Sequence, residues 1–210
     1  ADCCGGNTGA TLKNGFVELF NAGNAAVSLA GWSVQYNSTT GTGTWQKTDL
    51  SAVVLQPRQY YLVQEAAVTG GSQDLPTPDA VGSIFMSATG GKVALVSSST
   101  ALVGDKPVSA TIVDLLGYGS ANYYEGSGAA PAPSNTTADL RADAGCTDTD
   151  QNIADFATGT PVPRNTASPL GTCTVVGPTV RSIPEIQGTG AASPFVGDSV
   201  KTTGIVTRVN

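Results

Sequence analysis

Asp148, Asp150, Asn152 and Asp155 place four oxygen-bearing side chains on one short stretch. Hard oxygens at such spacings resemble the opening positions of a calcium loop, where alternating residues ligate one ion. The likeness stops at the sixth position, which is Ile153 where an EF-hand has glycine, and no glutamate stands at the twelfth. Asp and Asn side chains also tie down backbone amides in loops. That is the favoured reading of the quartet, with calcium kept as a candidate cofactor.

A second set is cationic. Arg141, Arg164 and Arg181 are candidate phosphate contacts, since a guanidinium can hold phosphate oxygens through two parallel N–H groups. The chain as a whole opposes that use, with net charge −6 and a sequence pI of about 4.4. A broad basic face that neutralises nucleic-acid phosphates is excluded, so DNA contact is expected to be weak or absent. Phosphodiester hydrolysis needs a base, a metal or another means of activating water, and charge stabilisation gathered in one cleft. The chain has no histidine to act as base, and its metal-binding carboxylates sit in one loop. No catalytic residue is expected.

The third set is Cys3, Cys4, Cys146 and Cys173. None forms a CxxC pair, and without histidine a zinc site is poorly supported. Two disulfides in an oxidising compartment fit better. A vicinal Cys3–Cys4 bond would strain the peptide between them. Cys3 and Cys4 are therefore expected to bond separately to Cys146 and Cys173, in an order left open. Loops of that length would stabilise by about 4 kcal/mol.

The elements that must position these groups read as strands. Twenty-six glycines and twelve prolines punctuate short Thr-, Ser- and Val-rich runs, and only 12% of residues are charged. This is an all-β composition. No run of apolar residues is long enough to span a membrane, and no signal peptide is visible. In Phe16 to Phe20 the faces alternate, with Val17 and Leu19 on one side and Phe16, Glu18 and Phe20 on the other. A turn at Asn21 to Asn24 leads to Leu29 and Gly31 to Tyr36, where Trp32, Val34 and Tyr36 share a face. Further strands are expected at Thr44 to Lys47, Val53 to Leu55, Gln59 to Gln64, Ser83 to Met86, Lys92 to Val96 and Thr111 to Tyr118. Together they suit an immunoglobulin-like β-sandwich. Trp32, Trp45, Tyr60 and Tyr61 are expected as core or cross-strand residues rather than as a ligand box. The glycine-rich stretch from Cys3 to Ala10 lacks the Lys-Ser/Thr and the helix of a phosphate loop. The texture changes over 120–168, where 126–135 read as an extended loop, and 173–182 read as a linker.

These residues resemble the lamin tail domain as it occurs in bacterial extracellular nucleases. The matching pieces are FVELFN at 16–21, LAGWSVQY at 29–36, YYLVQEA at 60–66, DLLGYG at 114–119, APAPSNTTADLRADAGCTDTDQNIADF at 130–156 and PVPRNTASP at 161–169. The resemblance implies a sandwich over 1–172, with a C-terminal extended segment. IPEIQGTGAASPFVGDSVKTTGIV at 183–206 looks like the start of the OB-fold domain that follows in such proteins, truncated here over 183–210. It implies a metal-dependent DNase as parent, whose cutting is done by a later domain. Two departures stand out. Family members usually have an apolar strand ahead of the glycine-rich stretch, where this chain has Ala1-Asp2, and many carry a cysteine where Tyr123-Tyr124 stand here.

The expected function is thus a non-catalytic accessory module of a secreted nuclease, with the catalytic domain of the same polypeptide as partner. The alternative is an autonomous binding or adhesion module at the cell surface. Val200 to Val206 alternates like a strand and is expected to add to an exposed sheet edge, in its own chain or a neighbour's.

Overall fold

The computed structural model describes residues 7–173, 182–190 and 192 with their side chains, and the backbone of 2–3, 179–180 and 200–201. The chain divides into two compact units, Ala1–Cys173 and Thr174–Asn210. The first is an all-β, immunoglobulin-like sandwich.

Its strands are β1 (Asp2–Cys3), β2 (Asn14–Phe20), β3 (Val27–Ser28), β4 (Ser33–Asn37), β5 (Gln46–Asp49), β6 (Val54–Leu55), β7 (Tyr60–Ala67), β8 (Ala80–Val81), β9 (Gly90–Val96), β10 (Ile112–Gly119), β11 (Ala138–Arg141) and β12 (Phe156–Gly159). One sheet has the order β12-β11-β1-β2-β7-β8, the other β10-β9-β4-β5. Strands β3 and β6 form a separate pair. Between β11 and β12 lie α1 (Ala142–Gly145), in which Asp143 and Ala144 take positive φ, and α2 (Asn152–Asp155).

Period-two alternation places the core. Val17 and Leu19 of β2 face Val34 and Tyr36 of β4 and Val93 of β9, with Tyr61, Val63, Leu116 and Tyr118. The opposite side of β2 is apolar too. Phe16 packs there with Leu12, Leu62 and Ala138, so the six-stranded sheet is covered on both faces. A third cluster gathers Trp45, Ala94, Val96, Leu102 and Leu115 on the outer face of the second sheet. Lys92 is fully buried beside it. Its Nζ donates to the Asp105 carboxylate at 2.9 Å and lies 5.7 Å from the centre of the Trp45 ring. Trp45, Tyr60 and Tyr61 are buried, whereas Trp32 is half-buried.

Several elements differ from the sequence expectation. The strand expected at Thr44 to Lys47 runs from Gln46 to Asp49. Ser83 to Met86 form no strand, and Ala80–Val81 instead pair in parallel with Val63 and Gln64. The stretch 120–168 contributes β11 and β12. Strand β1 fills the sheet between β2 and β11, pairing Asp2 with Val17 and Asp139 and Cys3 with Phe16 and Ala138.

The second unit contains β13 (Thr179–Val180), α3 (Ile183–Gln187) and β14 (Val200–Lys201). Ser182 and Glu185 form a reciprocal capping box at the start of α3, and Pro184 is tolerated there because its missing N–H would have no helical partner. Val200 and Lys201 pair in parallel with Thr179 and Val180, within this unit. The rest of the expected strand lies outside the described residues.

Candidate functional site

Arg141 ends β11 and reaches across to the other sheet. Its Nη2 donates to both carboxylate oxygens of Asp114 on β10, at 2.8 and 2.6 Å. Nη1 donates to Asp148 at 2.6 Å and lies 3.9 Å from an Asp155 oxygen. The guanidinium also covers the Phe156 ring, 4.5 Å from its centre. One cation thus ties together the two sheets and the acidic loop.

Two members of that loop turn inward. Asn152 is fully buried. Its Oδ1 accepts from the amides of Gly117 (2.8 Å) and Glu125 (3.2 Å), while Nδ2 donates to the Leu115 carbonyl and the Glu125 carboxylate. Asp155 accepts from the amides of Thr149 and Gln151 and from the Thr149 hydroxyl. Burial works against its ionisation, yet these donors and Arg141 hold its carboxyl below the ordinary aspartate range. With their polar atoms engaged, Asn152 and Asp155 do not converge with Asp148 and Asp150 on one ion. What does converge is Glu125, Asp148 and Asp150, which bring one carboxylate oxygen each within 4.8 Å of one another. Burial first, then Asp114 and Asp148, push the Glu125 carboxyl up to about 7.

Arg164 sits on the outer face of the first sheet. Its amide, Nε and Nη2 all donate to the Glu18 carboxylate, and Nη1 donates to the Tyr60 hydroxyl at 2.7 Å. The guanidinium stacks 3.8 Å over the Tyr60 ring, which itself stacks on Phe20. Asp79 fastens the next turn by accepting from the Thr166 amide and hydroxyl. Arg181 lies outside the described residues.

The disulfide differs from the expected pairing. Cys146 is bonded to Cys173, with a Cα–Cα distance of 5.5 Å. Topology decides this. The left-handed turn at Asp143 and Ala144 delivers Cys146 to the segment returning along Arg58, where the Gly171 amide donates to the Arg58 carbonyl. Cys3 enters the sheet on β1, and its side chain and Cys4 lie outside the described residues.

Between the sheets, a cleft of about 470 Å³ separates Leu19 and Arg141 from Trp32, Leu95 and Val113. Its floor is apolar, and the Arg141–Asp114 pair stands at its wall.

A family model of the Lamin Tail Domain matches residues 4–120, more than half of the chain. The chain belongs to the lamin tail domain family. No curated protein and no solved structure matches it. The matched part of this lamin tail domain ends at Ser120, at the close of β10. Arg141, Arg164, the acidic loop and both bonded cysteines lie beyond it, yet all belong to the same compact unit. Sequence reasoning missed Asp114, Glu125 and Glu18, since their partners stand 27 or more positions away and only the fold brings them near.

Proposed function

We propose that this lamin tail domain is a non-catalytic accessory module of a secreted bacterial nuclease, positioning the catalytic domain or its substrate. One observation carries the non-catalytic part: Arg141 and Arg164, the described cations nearest the acidic loop and its following strand, are each held by carboxylates of the same unit. A phosphate approaching Arg141 would meet Asp114, Asp148 and Asp155 around it, and replacing them would cost the charge-assisted hydrogen bonds already made. Direct DNA contact is therefore weak at this site.

The nuclease context rests on the resemblance of 130–156 and 183–206 to proteins of that kind. Export rests on a disulfide between Cys146 and Cys173, a bond that persists in oxidising compartments. The test is to join the chain to the nuclease domain it resembles the partner of, and to compare cleavage with and without residues 1–173. A lower rate or a changed substrate preference on deletion is expected. Identical kinetics would refute the accessory role. The rival reading, an autonomous cell-surface binding module, draws on the apolar cleft and predicts retention on cells by the sandwich alone.

A further inference from the structure

One buried cluster stands apart from the Arg141 site. Lys92 is held in β9 by pairing with Asn37 on one side and Gly117 on the other, and its side chain is fully buried beside Trp45. Its ammonium meets four oxygens: the Gly41 carbonyl at 3.3 Å, the Asp105 carbonyl at 2.8 Å, Asp105 Oδ1 at 2.9 Å and Asn122 Oδ1 at 3.3 Å. Asn122 Nδ2 in turn donates to both oxygens of the same carboxylate, at 2.9 and 3.0 Å. An amine, a carboxylate and a primary amide thus close a triangle in which each touches the other two. Separate segments bring them there. Asp105 lies in the loop between β9 and β10, and Asn122 follows β10, its amide donating to the Thr39 carbonyl at 3.1 Å. A buried lysine is expected to have an anion as partner, and Asp105 alone would meet that need. The Asn122 amide is the additional group.

We propose that Lys92 and Asn122 join in an intramolecular isopeptide bond, formed by the folded chain itself, with Asp105 carrying the protons. The Lys92 ammonium gives a proton to the Asp105 carboxylate, and the freed amine attacks Asn122 Cγ, next to the oxygen it already touches. The Nζ–Cγ bond forms and the Cγ–Nδ2 bond breaks, while Asp105 passes to Nδ2 the two protons that Nζ loses. The leaving nitrogen departs as ammonium, so the step needs no oxidant, reductant or co-reactant. Asp105 suits this part because one of its oxygens contacts both the attacking and the leaving nitrogen. The Lys92 ammonium first and the Asn122 amide second hold its carboxyl below the ordinary aspartate range, so it rests as a carboxylate able to accept. Moving a proton from the ammonium onto so acidic a group is uphill, so the bond forms slowly. Reactants fixed against each other offset that cost, since no encounter is needed. Once the bond is made Asp105 loses its ion partner, but its side chain is 34% exposed and the nearby charge of Lys106 also favours its ionised form.

The experiment is intact-mass spectrometry of the purified full chain, with disulfides reduced, followed over time after folding. The mass is expected to fall below the sequence mass by one ammonia. Trypsin should then fail to cut after Lys92, and fragmentation of the digest should place the link between Lys92 and Asn122. Asp105→Ala removes the proton carrier and should slow the loss at least about a hundredfold. Asn122→Ala removes the carbonyl under attack and should keep the full mass. Circular dichroism checks that both variants are folded, and if either is not, the mass of the unaltered chain decides alone. An unaltered chain that keeps its full mass through prolonged incubation overturns the proposal. So does an ammonia loss that maps elsewhere, such as a succinimide at Asn14-Gly15. A folded Asp105→Ala chain that loses ammonia as fast as the unaltered one overturns the part given to Asp105.

Discussion

Arg164 and Glu18 stand 146 positions apart and share three hydrogen bonds, one of them from the Arg164 backbone amide. The Glu18 side chain is almost fully buried, and the Arg164 guanidinium lies against it at 2.7 Å. This contact fastens the segment after β12 to the second strand of the sandwich. It explains why the compact unit extends to Cys173 although the family match ends at Ser120.

Breaking that pair from one side should be costly. Arg164→Met leaves the Glu18 carboxylate buried without its cation, and a loss of roughly 3 kcal/mol in unfolding free energy is expected. Urea denaturation monitored by circular dichroism measures it. Glu18→Gln with Arg164→Met together should recover part of the loss, because no charge is then left unpaired.

Cys146 and Cys173 enclose a loop of 27 positions. The chain-entropy model gives such a cross-link about 3.5 kcal/mol. Reduction, or Cys146→Ser with Cys173→Ser, should lower the denaturation midpoint accordingly, and non-reducing peptide mapping should recover the 146–173 pair.

Gly82 occupies a position with no room for a methyl group. A Cβ there would collide with the Thr48 hydroxyl and the Glu65 carboxylate, both buried. Gly82→Ala should destabilise by about 1–3 kcal/mol. Gly43→Ala, where a Cβ meets open space, should change little. Differential scanning calorimetry of the two variants makes the comparison.

Glu125 gives the sandwich a specific pH dependence. Its folded-state carboxyl titrates near 7 against an ordinary value of 4.5, chiefly through burial and then through Asp114 and Asp148. Between those values the folded state holds a proton that the unfolded state has lost, so stability falls as pH rises through the window. At this half-exposed site the loss should be about 1–2 kcal/mol after solvent screening. Glu65, raised by burial, adds to the same trend. Asp148→Asn should lower the Glu125 midpoint and flatten the slope, leaving the Glu65 part. Thermal unfolding at pH 5 and pH 7.5, with carboxyl NMR titration, tests both points.

The strongly patterned strands were legible in the sequence because each buries one face. Val17 and Leu19 announce β2, and Val34 and Tyr36 announce β4. Strand β11 hid because its alternation is inverted: Ala138 packs on the outer cluster, while Asp139 and Arg141 occupy the alternate positions where a reader seeks apolar residues. Strand β8 hid because two residues carry no period, and its place depends on parallel pairing with β7. At the candidate site, residue type revealed that Asn152 and Asp155 could hold amides. It could not reveal that those amides belong to residues such as Gly117 and Glu125, because that depends on how β10 and α2 pack. The disulfide was illegible for a similar reason, since the turn through Asp143 and Ala144 sets which sulfur Cys146 meets.

We propose that this chain does not cut DNA by itself. The most direct measurement incubates the purified chain with supercoiled plasmid in magnesium, manganese or calcium and follows nicking over time. The account predicts no cleavage above the buffer control with any of the three ions. Cleavage that co-purifies with the chain and disappears in the Asp148→Ala, Asp150→Ala double variant would contradict it.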